Sequence, residues 1–332
     1  MKKILLIATG GTIACKKEQD GLTPVLSSEE LLSYLPSAKN IADVETLNLF
    51  NLDSSNICPD HWLKMARAVE ENYDTYDGFV ICHGTDTLAF TAAALSYLIQ
   101  GGRKPIVVTG AQKPINTDIS DAKQNLSDSL FYACQGLGGV SVVFDGKVIA
   151  GSRAKKTHTK SYHAFSSINF PYLALFQGNR LVRFFEEHNA PRPAFYHTLD
   201  QKVGLFKVLP NFDEDLLYYL LEKNDAVIIE SFGSGGLPER GEDMLHRLRE
   251  YTERGKFIVM TTQVQSEGSD MSVYRVGSRL KESCGIIECF DMTPESVLAK
   301  LMWILSVTPD RSERIRLFYA SVNHDICFSD GV

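Results

Sequence analysis

Short apolar runs alternate with longer amphipathic stretches along most of the chain. Apolar runs of strand length, separated by helix-length stretches, indicate βαβ units and a parallel sheet covered on both faces. Crossovers between such strands are expected to be right-handed. The strands predicted in the first half are Lys3–Ala8, Glu45–Phe50, Gly78–Cys82, Pro105–Thr109 and Val140–Phe144, and the helices include Pro59–Asn72, Thr87–Gln100 and Asp121–Gln135.

A charged stretch with two prolines interrupts this alternation. In residues 186–201, Pro191 and Pro193 flank Arg192, which is typical of a linker. We therefore predict an α/β protein with two open, mostly parallel-sheet domains: a larger N-terminal domain (1–186), a linker (187–202) and a smaller C-terminal domain (203–332). The later strands are predicted near Val203–Val208, Ala226–Ser231 and Lys256–Thr261, and the helices at Asp213–Lys223, Arg240–Glu253, Pro294–Ser306 and Pro309–Ala320.

Length and charge narrow the classes of function. At ~150 residues per domain, 332 residues suffice for two hydrophobic cores. Lys and Arg number 34 against 41 Asp and Glu, giving a net charge of −7. A mildly acidic chain is a poor candidate for binding nucleic acid or anionic membrane through bulk charge. No apolar run approaches the ~20 residues of a transmembrane helix. We expect neither nucleic acid nor membrane as a partner.

The cysteines and the N-terminus indicate a cytoplasmic protein. Seven cysteines are scattered without a framework, which is typical of reduced thiols. No Cys-x-x-Cys or His-x-x-x-His spacing supports a structural zinc site, and we expect neither metal nor cofactor. The apolar run Ile4–Ala8 is shorter than the ~7–15 residues of a secretory signal. We interpret it as a first buried strand.

In open parallel sheets, ligands bind beyond the carboxyl ends of the strands. The first strand is followed by Thr9-Gly10-Gly11-Thr12. Two glycines permit a tight turn and close approach of a ligand, and the two threonines are expected to place hydroxyls at the rim. The segment is either a ligand-binding loop or an ordinary strand-to-helix turn. It matches neither the dinucleotide fingerprint nor the P-loop.

Three further polar segments follow predicted strands. In residues 83–87 (HGTDT), the side chains either cap the next helix or hold a ligand at its positive end, with Asp86 facing an ammonium group. Residues 151–159 carry Arg153, Lys155 and Lys156. They either form a solvated turn or supply a lysine that activates a nearby hydroxyl. Residues 53–56 (DSSN) either bind a small polar ligand or form an Asx turn.

Together, these segments resemble one family, the bacterial-type L-asparaginases, and within it the cytoplasmic type I branch. The resemblance extends from Ile4 to about Leu305. Its two signature segments are Ala8–Ala14 (ATGGTIA) and Val80–Thr87 (VICHGTDT). The supporting matches are Asp53–Ser55, Thr109–Gln112, Ser231–Gly236 and Asp291–Glu295.

The resemblance implies hydrolysis of the side-chain amide of L-asparagine to L-aspartate and ammonia. It also implies two α/β domains of unequal size. Members of the family assemble as homotetramers built from two intimate dimers, so the resemblance implies a homodimer or homotetramer for this chain. Each active site lies where the N-terminal domain of one subunit meets the C-terminal domain of its partner.

The resemblance also assigns roles to individual residues. Thr12 matches the family's threonine nucleophile. Thr85, Asp86 and Lys156 match its second threonine and the acid and lysine that activate it. The substrate-binding positions implied for this chain are Gly11, Ser54, Ser55, Thr85 and Asp86, in which the two serines bind the α-carboxylate and α-amino group and Asp86 also contacts the amino group.

This chemistry is physically coherent. A threonine hydroxyl is a weak nucleophile until a base within hydrogen-bond reach takes its proton. Backbone N–H groups at the Gly10-Gly11 turn and near Thr85 are candidate oxyanion donors, each worth about 3 kcal/mol. The product is an acyl-enzyme on Thr12, which water cleaves. The sequence leaves open whether Thr12 or Thr85 attacks first.

Two departures from the family pattern concern the lid and regulation. Many members carry a tyrosine on the mobile segment just after the nucleophile. Here that segment contains only Tyr34, which comes too late to match, and Leu22 or Thr23 occupies the nearest place. Either another hydroxyl substitutes, such as that of Thr23 or one from the partner subunit, or the lid works differently. Several type I members under allosteric control have cysteine after a Thr-Gln pair, whereas Val264 follows here.

Two other functions compete with free asparagine hydrolysis. L-Glutaminase or the ammonia-releasing subunit of a tRNA amidotransferase shares the same motifs. That subunit carries an extra N-terminal domain, whereas Met1 here leads directly into the first predicted strand. A non-enzymatic amino-acid-binding protein on the same scaffold is the second alternative. The intact set of four catalytic positions argues against it.

Overall fold

The computed structural model describes residues 1–18, 21–178, 180–185, 192–238 and 242–327. The chain divides into two compact units, Met1–His197 and Thr198–Val332. The predicted α/β class, with a larger first and a smaller second part, is confirmed. The predicted boundaries at 186 and 203 stay a prediction, and residues 186–191 of the linker region lie outside the described residues.

The first unit contains a large sheet, short hairpins and covering helices. Its helices are α1 (Ser28–Ser33), α2 (Ala38–Ile41), α3 (Pro59–Asn72), α4 (Leu88–Leu98) and α5 (Ala122–Ala133). Its strands are β1 (Lys3–Gly10), β2 (Cys15–Glu18), β3 (Gly21–Pro24), β4 (Asp43–Leu52), β5 (Gly78–Cys82), β6 (Ile99–Gln100), β7 (Pro105–Thr109), β8 (Gly139–Phe144), β9 (Lys147–Ala150), β10 (Ala154–Lys156), β11 (Phe165–Ser167), β12 (Ala174–Gln177), β13 (Arg180–Arg183) and β14 (Ala194–Phe195).

The main sheet has eight strands in the order β13-β12-β9-β8-β7-β5-β1-β4. The strands from β8 to β4 are parallel to their neighbours, as predicted. Three antiparallel strands extend the sheet beyond β8. The reversal is made at Asp145-Gly146, where both residues have positive φ, as a two-residue hairpin turn requires.

The topology places the polar segments together. The chain runs from β1 to β4 on one side and then to β5 on the other, so the strand order reverses around β1. Ligands bind at such switch points, outside the carboxyl ends of the strands. The segments after β1, β4, β5 and β7 all begin at this edge. The helix α4, apolar on every side, is almost wholly buried and fixes the segment after β5.

The second unit is a smaller α/β unit with its own core. Its four strands pair in parallel in chain order. They are β15 (Val203–Lys207), β16 (Ala226–Ser231), β17 (Phe257–Thr262) and β18 (Ile287–Glu288), and the helices are α6 (Glu214–Lys223), α7 (Glu242–Glu253), α8 (Arg275–Cys284), α9 (Pro294–Val307) and α10 (Arg311–Tyr319). The helix α8 was not predicted, and the predicted start of α7 at Arg240 lies outside the described residues. Across the described ranges, the helices lack the length and apolar content that a bilayer crossing requires.

Candidate active site

Three backbone segments meet at the carboxyl edge of β1, β4 and β5. Gly11 has a φ of 78°, and a Cβ there would collide with the backbone of Gly84. A Cβ on Gly84 would lie 2.7 Å from Ser54 Oγ. Only glycines allow this approach, because each backbone occupies the space of the other's side chain. The turn after β1, the turn after β4 and the turn after β5 therefore form one contiguous site.

Thr12 begins a single 3₁₀ turn directly after Gly11, and its side chain is half-buried. Ile13 and Ala14, which follow, are fully buried and anchor the turn in the core. The Thr9 hydroxyl does not lie at the rim as expected. It is buried and donates to the Cys82 carbonyl (2.8 Å), because an interior hydroxyl needs a partner and the adjacent strand offers one.

Lys156, Thr85 and Asp86 form a hydrogen-bonded group. Lys156 Nζ donates to Thr85 Oγ1 (2.8 Å) and to Asp86 Oδ1 (2.6 Å). The lysine side chain is 18% exposed and the aspartate 68%, so the pair opens to solvent on the carboxylate side. Thr85 is buried. The structure thus brings together three of the four predicted catalytic side chains, from positions about 70 residues apart.

The two-stranded sheet of β10 and β11 delivers Lys156 to this group. Lys155 pairs with Ser166, and Lys156 with Phe165. Successive side chains on a strand point to opposite faces. The hairpin therefore directs only one of the two neighbouring lysines at Thr85.

Ser54 joins the turn after β4 to the turn after β5. Its hydroxyl accepts from Asp86 N (3.2 Å), and its carbonyl accepts from Thr87 Oγ1 (2.8 Å). Thr87 occupies the N-cap position of α4, but its side chain makes no capping bond. The capping alternative for residues 83–87 is therefore wrong for Thr87, because its hydroxyl is used to hold the Ser54 turn.

Asp53 organises the neighbouring serine. Its carboxylate accepts from Ser55 N (2.8 Å) and Ser55 Oγ (2.7 Å), an Asx turn as foreseen in one of the two alternatives. These hydrogen bonds lower the pKa of Asp53, the side-chain bond most strongly. Because the Ser55 hydroxyl donates to Asp53, its oxygen is left as an acceptor for a ligand.

One predicted oxyanion donor is already engaged. The Gly11 N–H donates to the Leu52 carbonyl (2.9 Å). The expectation that Gly11 offers a free N–H to the oxyanion is wrong for this structure, because that amide closes the turn onto β4. Near Thr85, the Asp86 N–H is likewise engaged with Ser54.

His83 is a structural histidine, and both of its ring nitrogens are hydrogen-bonded. It is fully buried, and its Nδ1 lies 2.7 Å from the Gly84 carbonyl, which can only accept. The Nε2 atom therefore accepts from Thr91 Oγ1 (3.0 Å), which in turn accepts from Trp62 Nε1 (2.9 Å). Burial lowers the pKa of His83 to about 4, against the opposing effect of the Gly84 bond.

Gln112 is a site residue to which sequence reasoning gave no role. It follows β7, and its Oε1 accepts from Thr85 Oγ1 (3.3 Å). Its Nε2 donates to the Ser161 carbonyl (3.1 Å). Its position after the fourth parallel strand was the available signal, because that strand end borders the same edge of the sheet.

The segment after Thr12 is a hairpin of β2 and β3. Thr23 pairs with Lys16 and is exposed. The side chain of Leu22 lies outside the described part of the chain. Tyr34 caps the end of α1 and packs against the core of the first unit.

The Thr262-Gln263 pair lies in the second unit and has a structural role there. Thr262 Oγ1 donates to the Gly233 carbonyl (2.5 Å), and Gln263 Nε2 donates to the carbonyls of Val208 (2.6 Å) and Glu230 (3.0 Å). These bonds hold the ends of β15, β16 and β17 together.

Metal-ligand clusters of three or more His, Cys, Asp or Glu side chains are absent from the described residues. The group around Lys156 consists of one ammonium, one carboxylate and a hydroxyl. Such a set supports proton transfer and binding of a zwitterion.

Comparison with known proteins covers both units. Residues 3–189 match the family described as "Asparaginase, N-terminal", and residues 202–318 match "Glutaminase/Asparaginase C-terminal domain". The chain is 39% identical over 326 residues to the L-asparaginase of Thermococcus kodakarensis, covering 98% of this chain and 99% of that protein. A solved structure of the thermostable L-asparaginase from that organism superposes with a TM-score of 0.92 at 37% identity, covering 98% and 100% of the two chains.

Two other relatives have similar levels of identity to this chain but carry different names. L-asparaginase 1 of Escherichia coli K12 is 33% identical over 326 residues, covering 95% of each chain. A glutamyl-tRNA(Gln) amidotransferase subunit of Pyrococcus horikoshii is 32% identical over 338 residues, covering 97% of this chain and 76% of that protein.

Proposed function

Because the chain belongs to the asparaginase family, on its matches over both units and its similarity to L-asparaginase 1, we propose that it hydrolyses L-asparagine to L-aspartate and ammonia. The observation that carries this proposal is the bonding of Lys156 to both Thr85 and Asp86, beside the glycine contact that holds the Thr12 turn. This group provides a proton-transfer partner next to a hydroxyl that follows a tight turn.

In the proposed reaction, Thr12 Oγ attacks the side-chain amide carbon. Thr85 takes the Thr12 proton as it passes its own proton to Lys156, which acts here as the amine. Lys156 then protonates the amide nitrogen, the C–N bond breaks, and ammonia leaves. An aspartyl ester then links the substrate to Thr12. Water attacks this ester, the C–O bond breaks, and the Thr12 hydroxyl is restored as L-aspartate departs.

The hydrogen-bond directions at the two serines support recognition of an α-amino acid. Ser54 Oγ accepts from Asp86 N, so its hydrogen can be donated to the α-carboxylate. Ser55 Oγ donates to Asp53, so it accepts from the α-ammonium group. Asp86, with most of its surface exposed, adds a negative charge for the same ammonium. The donor Ser54 is thus matched to the carboxylate of an amino-acid zwitterion, and the acceptors Ser55 and Asp86 are matched to its ammonium group.

We extend the proposal to assembly and location. The family resemblance implies an active site between subunits, so a homodimer or homotetramer is proposed, to be measured by light scattering coupled to size exclusion. A cytoplasmic location is supported by seven cysteines that are all free thiols in the structure.

A second function, release of ammonia from glutamine, is favoured by one finding. The amidotransferase subunit of Pyrococcus horikoshii matches almost the whole of this chain. Asparagine and glutamine differ by one methylene, worth only about 1–3 kcal/mol in a pocket. The polar group around Lys156 suits either amide.

The test measures ammonia release from L-asparagine and from L-glutamine by the wild type, Thr12→Ala and Lys156→Ala. We expect hydrolysis of asparagine that is lost in both variants while circular dichroism and oligomer size stay native. Higher kcat/KM for glutamine would favour the second function. A folded wild type that releases ammonia from neither amide would overturn both.

A further inference from the structure

The hydroxyl of Thr87 is turned away from the helix that it precedes. Thr87 occupies the N-cap position of α4, where a threonine side chain ordinarily accepts from a backbone N–H of the first turn. Here it makes no capping bond and donates instead to the Ser54 carbonyl (2.8 Å), which can only accept. The side chain therefore joins the turn after β5 to the turn after β4 and does not cap its own helix.

Two hydrogen bonds hold Ser54 to the turn after β5, and a ligand affects them differently. The Asp86 N–H donates to Ser54 Oγ (3.2 Å), which is the hydroxyl proposed to meet the α-carboxylate. The Thr87 bond uses the Ser54 carbonyl, so it leaves that hydroxyl to the ligand. The carbonyl also accepts from the Ile57 N–H (3.1 Å), and the loss of Thr87 would not leave it without a partner.

The two joined turns carry the groups proposed for opposite ends of the substrate. Ser54, which is buried, is the donor for the α-carboxylate, and Asp86, one residue before Thr87, is the acceptor for the α-ammonium group. Both ends of an α-amino acid are attached to one carbon atom, so both contacts form together only while the turns keep a fixed spacing. A group that fixes this spacing acts on ligands that carry both charged ends.

We infer that Thr87 is a positioning residue that sets the spacing between Ser54 and Asp86 and thereby selects ligands with both an α-carboxylate and an α-ammonium group. The inference rests on the proposed recognition of an α-amino acid at this site. It concerns binding, so L-aspartate, the proposed product, tests it apart from any turnover. Succinate is the matched probe, because it has the same two carboxylates and no ammonium group.

Removing the Thr87 hydroxyl should weaken the binding of L-aspartate selectively. For Thr87→Val, which keeps the shape of the side chain, we expect the Kd for L-aspartate to rise about tenfold and that for succinate to change less than about twofold. Thr87→Ser keeps the donor, and its Kd for L-aspartate should lie within about threefold of the wild type. The KM for L-asparagine should rise in Thr87→Val by about the same factor as the Kd for L-aspartate, while kcat falls less than about threefold.

Thr252→Val is the matched control for loss of a structural hydrogen bond. Thr252 lies on α7 in the second unit, and its Oγ1 also donates to the carbonyl of another segment (Cys284, 2.8 Å). Its substitution should lower the midpoint of thermal unfolding about as much as Thr87→Val does and leave the Kd for L-aspartate within about twofold of the wild type. A merely structural role for Thr87 would likewise lower the midpoint and leave the ratio of the two Kd values unchanged.

Isothermal titration of the wild type and these three variants with L-aspartate and succinate completes the test. Wild-type affinity for L-aspartate in Thr87→Val overturns the inference. Equal losses for L-aspartate and succinate, or a loss in Thr87→Ser as large as that in Thr87→Val, also overturn it. A wild type that binds L-aspartate but releases ammonia from neither amide refutes the proposed function, and the Thr87 comparison still decides the inference. A wild type that binds neither L-aspartate nor L-glutamate overturns the inference itself.

Discussion

Two lysine–aspartate pairs in this protein have the same separation and opposite surroundings. Lys156 and Asp86 lie 2.6 Å apart in the first unit, with 18% and 68% of their side chains exposed. Lys300 and Asp325 lie 2.6 Å apart in the second unit, with neither side chain exposed. Their distances and charges are alike, so their different roles must come from what surrounds them.

The buried pair is satisfied by the fold alone. Lys300, on α9, also donates to the Ala320 carbonyl (2.9 Å), and Asp325 accepts from Val322 N (2.8 Å). The pair ties the segment after α10 to the core. Lys156 instead contacts Thr85 and an open carboxylate, which can exchange partners with a ligand. A buried pair whose other hydrogen bonds go to the backbone fixes a chain segment, whereas a partly exposed pair beside a hydroxyl stays available for chemistry.

The largest effect is expected when the partly exposed Lys156–Asp86 pair is broken. Lys156→Met should lower kcat for L-asparagine by about 10³- to 10⁴-fold, because Thr85 loses its proton-transfer partner. The free energy of unfolding should change by less than about 1 kcal/mol, since exposed pairs stabilise little. The control is Lys155→Met, at the next strand position, with kcat within about twofold of the wild type. A large loss of stability with kcat retained would reverse the comparison.

Breaking the buried pair should have the opposite signature. Lys300→Met leaves the Asp325 carboxylate buried without its counter-ion, which costs about 3–5 kcal/mol of unfolding free energy. The kcat per native molecule should stay near that of the wild type. Urea unfolding and kinetics at low urea measure the two quantities. Unchanged stability would mean that the pair is not buried in solution.

His83 is a buried titratable side chain that is neutral, in contrast to the buried Lys300–Asp325 ion pair. Its pKa of about 4 lies below the value of 6.5 that it regains on unfolding, so the unfolded state binds more protons between these values. Its contribution to stability is complete above pH 6.5 and is lost as the pH falls toward 4. From pH 7 to pH 5 the loss amounts to about 2 kcal/mol.

Urea unfolding at several pH values, with His83→Gln alongside, isolates this contribution. Carboxylates elsewhere titrate in both proteins, so the difference between their pH slopes belongs to His83. Equal slopes between pH 7 and pH 5 would show that His83 has no lowered pKa.

The smallest effect is expected when both buried charges are removed together. Lys300→Met with Asp325→Leu leaves no unpaired charge, and replacing a buried pair by apolar side chains is often neutral. Most of the stability lost in Lys300→Met should return, to within about 1 kcal/mol of the wild type. Losses that simply add would show that the two residues do not act as a pair.

Much of the fold was predictable because strands that are buried on both faces appear in the sequence as continuous apolar runs. The fully buried strands β5 and β7 were predicted to the residue, as was α3, which Pro59 begins. The antiparallel extension was not, because β12 and β13 are short and partly exposed. The helix α8 was missed as well, since Tyr274 before it makes no side-chain cap.

The candidate site was predictable in its parts and not in its connections. Gly11 and Thr85 follow strands that the apolar pattern identifies. The choice between Lys155 and Lys156 depends on the pairing register of β10 with β11, which composition does not reveal. Gln112 was missed because its role depends on the carbonyl of Ser161, and a backbone acceptor has no sequence signature.

The central claim is that Thr12 carries the acyl group during hydrolysis of asparagine. Acid quenching of the wild type in its first turnover with L-asparagine, followed by peptide mass spectrometry, tests it most directly. We predict an aspartyl ester on the peptide that contains Thr12, absent from Thr12→Ala. An ester on the peptide that contains Thr85, or asparagine hydrolysis retained by Thr12→Ala, would contradict the account.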